Sequence, residues 1–470
     1  MFAIYKYCIP QPDFFSDSHS YILAACKDLE VYYRPSGYVH FLQFVHDISI
    51  SDTWLVFVQY ILITLSGLFL YFTISFLLGI KRKWVAASMV ILAVCNPLYL
   101  VLANQVASDS TFTAFSLLWV SCIVWIVKKG NWWSAIIQVL CLWLCFQTRY
   151  NAMLYIAVLA IALLLARQQK VWYRALVVLV SVLVIWGSYA ATKKEIEEET
   201  GAAVFEGLGS WMLADIALII YPHCDNKDPD TENEPEINKL NQFVVTYKDS
   251  ISAESKDIIA KNDLHWVYLW DKQSPLKRYL FNYVQEYKFP YLASWYRVAP
   301  TYKAWAEAII LQNPKAYFAH YLVPNTKLFF MPLKYEMTSY LDNGITDVPK
   351  ETQEWFGWGN NRLTWRYRDI QSTITAMSLP LYIIAMAVSL IICIIYIGLD
   401  KKRNVFSLFD NVFFTYAAFW AISAVFNVVA GPIVLRYQIA LFAISLLFDF
   451  YFIDRLLCLK PKLIGKKIEP

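Results

Sequence analysis

The chain has 470 residues, of which 58% are hydrophobic, 17% aromatic and only 17% charged, with a formal net charge of +4. A soluble domain carries roughly 25% charged residues and the mean hydropathy here is +0.41, so a soluble enzyme, a disordered scaffold and a secreted disulfide module are all excluded. The charge is too small, and too evenly spread between apolar runs, for a nucleic-acid partner.

Residues 1–53 precede the first long apolar run. Met1–Pro10 (MFAIYKYCIP) is too short to span a bilayer and is not organised as a signal peptide. Asp17 lies in Phe15-Ser16-Asp17-Ser18-His19-Ser20-Tyr21, ahead of a short apolar-periodic stretch to Cys26. Four residues on, Tyr21 falls on the same helix face one turn later. Arg34-Pro35-Ser36-Gly37-Tyr38 follows and leads into apolar residues through Phe44.

A helix needs ~20 mostly apolar residues to cross the hydrocarbon. Residues 54–192 hold the runs Trp54–Ile80, Trp84–Ala103, Thr111–Val127, Trp132–Phe146, Ala152–Ala166 and Ala175–Ala191, of which the fourth and fifth are short. Asp109 stands in Ala107-Ser108-Asp109-Ser110, where a loop re-enters the third run, and Arg149 stands in Gln147-Thr148-Arg149-Tyr150-Asn151 between the fourth and fifth. Residues 193–372 leave the membrane. They open on the charged run Lys193–Glu199 and include an acidic, solvated stretch, Asp225–Glu236. Ser274-Pro275 and Asn313-Pro314 each read as an N-cap followed by proline at the first helical position. Trp295, Trp305, Ile309 and Ile310 recur at spacings one helical face can hold, among further aromatics at Trp266, Trp270, Tyr296, Tyr317 and Tyr321. Two readings stay open for them: amphipathic helices at headgroup level or around a lipid-linked substrate, and the ordinary core of an outside domain. Residues 373–456 return to the membrane as Ala376–Ile397, Asn411–Ala430 and Tyr437–Ile453, with Arg436-Tyr437 opening the last, and 457–470 form a tail. Pro97 and Pro380 predict kinks.

The sum is an all-α polytopic membrane protein with about nine spans and a helical extracytoplasmic region. Basic clusters fix its orientation. Lys81–Lys83, Lys128-Lys129, Arg167/Lys170/Arg174, Lys401–Arg403 and the tail from Arg455 to Lys467 all fall in alternate connections, which we read as cytoplasmic. Residues 1–53 and 193–372 are then outside. For an outside N-terminus two readings stay open, a segment translocated unaided or a further N-terminal helix preceding the given start, and we favour the second. No retention signal is evident, which suggests a bacterial plasma membrane.

The cysteines form no metal or disulfide framework: Cys95, Cys122, Cys141, Cys145 and Cys393 sit in apolar runs, and Cys8, Cys26 and Cys224 show no ligand spacing. Phosphate-loop, dinucleotide, zinc-hydrolase and serine-hydrolase motifs are absent, so no nucleotide cofactor is expected. The informative set is polar: Asp17, Asp109, Arg149 and Arg436, with Arg34, belong to one face of the membrane. Carboxylates can act as a general base or hold a cation, and arginines clamp phosphate through paired donors. Blander roles compete. Asp109 can N-cap a helix beginning near Ser110, Arg149 and Arg436 can snorkel to lipid, and Asp17 can be a turn residue.

In the order of its motifs the chain resembles GT-C membrane glycosyltransferases, the superfamily of protein O-mannosyltransferases and aminoarabinose lipid A transferases. The likeness lies in Asp17-x-x-x-Tyr21, in Arg34-Pro35-Ser36-Gly37-Tyr38 beside the family's Pro-Gly-Tyr-Pro, in Ser108-Asp109 and in Arg149 with Asn151. Asn313-Pro314 and Arg436-Tyr437 extend it. It is good for the first ~170 residues and patchy afterwards. The resemblance implies transfer of a sugar from a polyprenyl-phosphate donor to a lipid, glycan or protein acceptor outside the cytoplasm. Asp17 would be base or acceptor-orienting acid, and Asp109 would support it or help hold a divalent metal. Arg149 and Arg436 would bind the donor phosphate, with Tyr21, Arg34, Tyr38 and Tyr437 completing the substrate site. Ser18 stands where protein mannosyltransferases have a second acid, which counts against protein O-mannosylation. Two other classes stay in view. An O-antigen-type polymerase or ligase would depend on outer arginines such as Arg278, Arg297 or Arg368. A lipid-linked-sugar transporter would bind near the bilayer midplane.

Overall fold

The computed structural model describes residues 1–229, 234–262, 267–333, 337, 344–398 and 408–464. Trp266, the cluster Lys401–Arg403, residues 230–233 of the acidic stretch and the tail beyond Ile464 lie outside the described residues. The described chain is helical, with two isolated β-bridges and no named strand. In order the first helices are α1 Phe2–Cys8, α2 Ser16–Lys27, α3 Gly37–Ile48, α4 Asp52–Leu77, α5 Lys83–Cys95 and α6 Pro97–Asn104. Then come α7 Asp109–Lys129, α8 Trp132–Thr148, α9 Tyr155–Leu165 and α10 Val171–Thr200. The middle of the chain folds as α11 Leu208–Ile220, α12 Pro235–Tyr247, α13 Ala253–Asn262, α14 Val267–Trp270, α15 Pro275–Tyr287, α16 Tyr291–Arg297, α17 Ala299–Gln312 and α18 Pro314–Tyr317. The described elements close with α19 Val323–Phe330, α20 Lys350–Trp355, α21 Ile370–Gly398, α22 Leu408–Ala430 and α23 Leu435–Ile464.

Among the described residues six helical stretches are long and apolar enough to cross a membrane: Asp52–Leu77, Lys83–Asn104, Asp109–Lys129, Val171–Thr200, Ile370–Ile397 and Asn411–Ala430. Trp132–Thr148 and Tyr150–Leu165 are shorter apolar helices. The protein is therefore an all-α integral membrane protein. At its centre α7 is buried on nearly all sides, packed by α4, α8 and α23. Pro97 breaks one stretch into α5 and α6, where the Asn96 side chain accepts the Leu98 N–H at 3.1 Å. Pro380 leaves α21 continuous.

The two ends of the bundle differ. At one end the Lys81 and Arg82 backbone N–H groups donate to Asp454, Gln168 donates to the Val127 carbonyl, and Tyr173 donates to that of Asn131 at 3.0 Å. Trp125 of α7 ties this group to α4 through Thr73. The described basic clusters thus share one end. The other end carries Asp17, Asp109, Arg149 and Arg436.

Residues 1–53 hold three helices, α1 to α3, and the first residues of α4. Two boundaries read from the sequence move. The membrane helix expected to stop near residue 192 runs on through Lys193–Glu199 to Thr200, because those charges favour helix and form the (i, i+4) pair Lys194–Glu198. The last helix likewise continues past 457 to Ile464. In the 193–372 region the aromatic residues build a core: Trp211, Trp295, Tyr302 and Trp305 are each at most 1% exposed. Each such ring removes about 150–250 Å² from water, roughly 4–6 kcal/mol before ordering costs. The headgroup-level reading therefore gives way to a packed domain, although Trp270 stays at its surface. Ser274 caps α15 through Lys277 N–H, whereas the Asn313 amide turns away from α18 to the Asn226 and Ile309 carbonyls.

Candidate functional site

The first helices bring the site together. Asp17 is the second residue of α2, buried, and Asp109 is the first residue of α7. Ser108, not Asp109, occupies the N-cap of α7, and it makes no side-chain cap bond. The Asp109 carboxylate is thereby left to other partners. Arg436 near the start of α23 supplies one of them: its Nη1 donates to Asp109 Oδ2 and its Nη2 to Asp17 Oδ2, both at 2.9 Å. Arg34 Nη2 donates to the other Asp17 oxygen at 2.5 Å, and Arg149 Nη1 to the other Asp109 oxygen. The result is a row, Arg34–Asp17–Arg436–Asp109–Arg149, in which both oxygens of each carboxylate are bound by guanidinium.

Three guanidiniums face two carboxylates, so the row holds one positive charge in excess. Arg436 is the enclosed member, its side chain 5% exposed, whereas those of Arg34 and Arg149 are 16% and 20% exposed. Rings hold the cations in place: Phe15 and Tyr437 lie 4.5 and 4.4 Å from the Arg436 guanidinium, and Tyr437 lies 4.3 Å from that of Arg149. Arg436 also donates to the Tyr437 hydroxyl at 2.8 Å. Burial alone raises the Asp17 carboxyl, but the charges and hydrogen bonds of Arg34 and Arg436 outweigh it and hold it below the ordinary value. The same balance raises Arg34: burial disfavours its charge, and Asp17 more than restores it. Asp17 is thus an ionised anchor here and a weak base while both arginines hold it.

Tyr21 and Tyr38 take a different place from the rest. Tyr21 shares the Asp17 face of α2 as its spacing predicts, but its hydroxyl donates inward to Ser108 Oγ at 3.0 Å. Tyr38 is fully buried and donates to Gln59 at 2.8 Å, and Gln59 in turn donates to the Ala103 and Gln105 carbonyls. The two tyrosines pack edge to face at 4.8 Å and form the floor behind the charges. Gly37 permits that floor. A Cβ there would overlap the Gln147 carbonyl oxygen, so only glycine lets α3 sit against the end of α8 that presents Arg149.

Next to Tyr437 a groove opens between α7, α9, α22 and α23, lined by Phe112, Tyr155, Ile422, Phe426 and Leu441, with Asn151, Ser423 and Asn427 as its polar members. An apolar cavity continues the same seam along the bundle to Val127 and Val412, and Phe419 borders both. Tyr437, which stacks on Arg149 and Arg436, is the lining residue that joins this groove to the charged row, and the two cavities together mark an apolar track along the bundle. The donor set does not suit a divalent cation, because it is already positive and its carboxylate oxygens are occupied. Among the described residues no group of three or more His, Cys, Asp or Glu is placed to hold a metal.

Sequence reasoning passes over Glu206. It lies between α10 and α11, within electrostatic reach of Arg34, and its carboxylate accepts the Gly209 N–H. The residues around it, GAAVFEGLGS, carry neither periodicity nor an obvious motif. The two close glycines at 207 and 209 are the available signal. No family model matches this sequence, and no curated protein matches it at significant similarity.

Proposed function

We propose that this protein is a membrane glycosyltransferase of GT-C type, moving a sugar from a polyprenyl-phosphate donor to an acceptor hydroxyl of a lipid, glycan or protein. In this reading the two shorter apolar helices and α23 also cross the bilayer, making nine spans, and the charged row faces the outside of a bacterial plasma membrane. The observation that carries it is Arg436 bridging Asp17 and Asp109, with Tyr437 joining that row to an apolar track. A row with one surplus positive charge offers an anion a binding gain. The track offers an isoprenoid tail the burial it needs at the same point, at about 0.8 kcal/mol per CH₂.

The chemistry follows from exchange of partners. A donor phosphate docking on Arg149 and Arg436 competes with Asp109 for the same N–H groups, and bidentate arginine geometry suits phosphate as well as carboxylate. As the bond from sugar C1 to the phosphate oxygen breaks, charge grows on that oxygen, and the arginines stabilise it more in the transition state than in the ground state. Tyr437, stacked between Arg149 and Arg436, keeps both guanidiniums aimed at one place.

The polymerase or ligase alternative draws little support. Arg297 donates to the Thr200 carbonyl and lies over Phe289, and Arg278 donates to the Gln273 carbonyl and lies over Tyr247, so the two do not converge. A transporter is likewise less well served by charges gathered at one end of the bundle. The test is transfer from labelled polyprenyl-phosphate sugars by the full chain in proteoliposomes. Asp17→Asn and Arg436→Gln should abolish product while the protein stays folded, and full activity in either variant would sink the assignment.

A further inference from the structure

Three carboxyl groups stand near the arginines, and two of them are taken. Every oxygen of Asp17 and Asp109 accepts a guanidinium N–H, so neither can receive a proton from an incoming hydroxyl without first losing an arginine. Glu206 is the third, and its setting differs. Phe205 is clamped by the rings of Phe146, Tyr150 and Tyr189 at 5.9, 4.5 and 4.3 Å. Tyr150 directly follows Arg149, so the clamp holds Glu206 at the same end of the bundle as the row. Both Glu206 oxygens share the Gly209 N–H, at 3.0 and 2.8 Å, an arrangement that orients the group and leaves lone pairs on each.

The glycines around Glu206 are required by this placement. A Cβ at Gly207 would overlap the Trp295 ring, and one at Gly209 would overlap Glu206 Oε1. Gly207 thus lets the loop lie against Trp295 of the outside domain, with Glu206 within electrostatic reach of Arg34. Burial raises the Glu206 carboxyl above its ordinary value, against the Gly209 and Leu208 N–H groups and Arg34, which lower it. Asp17 is shifted the other way. Environments that push neighbouring carboxyls apart commonly mark an acid–base division of labour.

We propose that Glu206 is the proton acceptor of the transfer reaction, while Asp17 and Asp109 organise the arginines that hold the donor phosphate. The inference rests on the glycosyltransferase reading and deepens it. In the step, the acceptor O–H proton passes to a Glu206 oxygen and the acceptor oxygen bonds to C1 of the sugar. The bond from C1 to the phosphate oxygen breaks, and its electron pair leaves on the polyprenyl phosphate held by Arg149 and Arg436. Glu206 then returns its proton to solvent.

The experiment is a pH series of transfer rates by the full chain in proteoliposomes, using polyprenyl-phosphate hexoses and pentoses as donors, for wild type, Glu206→Gln, Glu206→Asp and Asp17→Asn. A glutamine amide oxygen still accepts the Gly209 N–H, so Glu206→Gln keeps the loop and removes only the base. Its kcat should fall about 100-fold or more, with donor KM within about twofold of wild type and the acidic limb of the pH profile lost. Glu206→Asp should recover part of the rate. If wild type transfers and Glu206→Gln matches it in rate and pH profile, the assignment of Glu206 is overturned while the transferase reading stands. If Glu206→Gln and Glu206→Asp both fail to fold, Glu206 is a helix cap and the proposal is again overturned. If wild type transfers from no donor, the transferase reading falls and takes the proposal with it.

Discussion

Arg436 is the shared partner of two carboxylates, and that sharing predicts a non-additive response to mutation. Removing one partner of a buried ion pair costs about 3–5 kcal/mol, because the remaining charge is left without a counter-ion. Asp17 and Asp109 each keep a second arginine, so Arg436→Gln should fall at the lower end, about 3 kcal/mol. Asp109→Asn should cost a similar amount, since it leaves Arg149 and Arg436 facing each other across a neutral amide. With Asp109 and Arg436 both replaced, neither loss is counted twice, and the double variant should be more stable than the sum by about 1–3 kcal/mol. The assay is a double-mutant cycle of unfolding in mixed detergent–SDS micelles, followed by tryptophan fluorescence. The exposed pair Lys194–Glu198, with side chains 75% and 65% accessible, serves as control and should show no resolvable coupling. Additivity within about 0.5 kcal/mol for Asp109 and Arg436 would refute the claim that the row acts as one unit.

Other expectations follow from the same structure. Asp215 is buried in α11 with its Oδ1 lacking a hydrogen-bond partner among the described residues, and burial holds its carboxyl well above the ordinary value against the Leu269 N–H. A raised folded-state value means that the contribution to stability is full below the unfolded value and is lost as pH rises through the folded one. Asp215→Asn should therefore leave thermal stability at pH 4 unchanged and raise it at pH 8, by about 1 kcal/mol or more, in a melting series across pH. Gly37→Ala drives a methyl into the Gln147 carbonyl and should cost about 1–3 kcal/mol in the same assay, with loss of any activity that needs Arg34 and Arg149 together. Ser423→Trp fills the groove from the half-buried face of α22. It should leave the melting temperature nearly unchanged and weaken binding of a polyprenyl phosphate at least about tenfold, equal to roughly 1.4 kcal/mol, measured by native mass spectrometry.

Much of the site is legible in the amino-acid sequence because the membrane restricts where charge can go. Asp17, Asp109, Arg34, Arg149 and Arg436 are spread over more than 400 positions of the chain. Alternation of basic connections nonetheless places them on one side, and ionisable residues at one depth in an apolar bundle tend to find each other. The blander roles for them fall away for concrete reasons. Ser108 holds the cap position, the arginine heads meet aspartates rather than lipid, and Asp17 lies within a helix. Other features stay hidden because they depend on tertiary approach. Nothing local says that the Tyr21 hydroxyl turns to Ser108, or that Glu206 stands near Arg34. Tyr21 and Ser108 are 87 residues apart, and the Gly207 loop is placed by Trp295 on a distant helix. The outside domain is legible only in part because an aromatic stripe on a short helix looks the same whether it meets headgroups or another helix. Trp211 stacked on Trp295 at 5.5 Å is the contact that decides it.

The central claim is that the charged row and the apolar track together bind a polyprenyl phosphate, and binding measured by native mass spectrometry tests it most directly. The account predicts that wild type retains polyprenyl phosphate but not the parent polyprenol, and that Arg149→Gln combined with Arg436→Gln abolishes retention in a folded protein. Equal retention of phosphate and alcohol, or undiminished retention in that double variant, would contradict it.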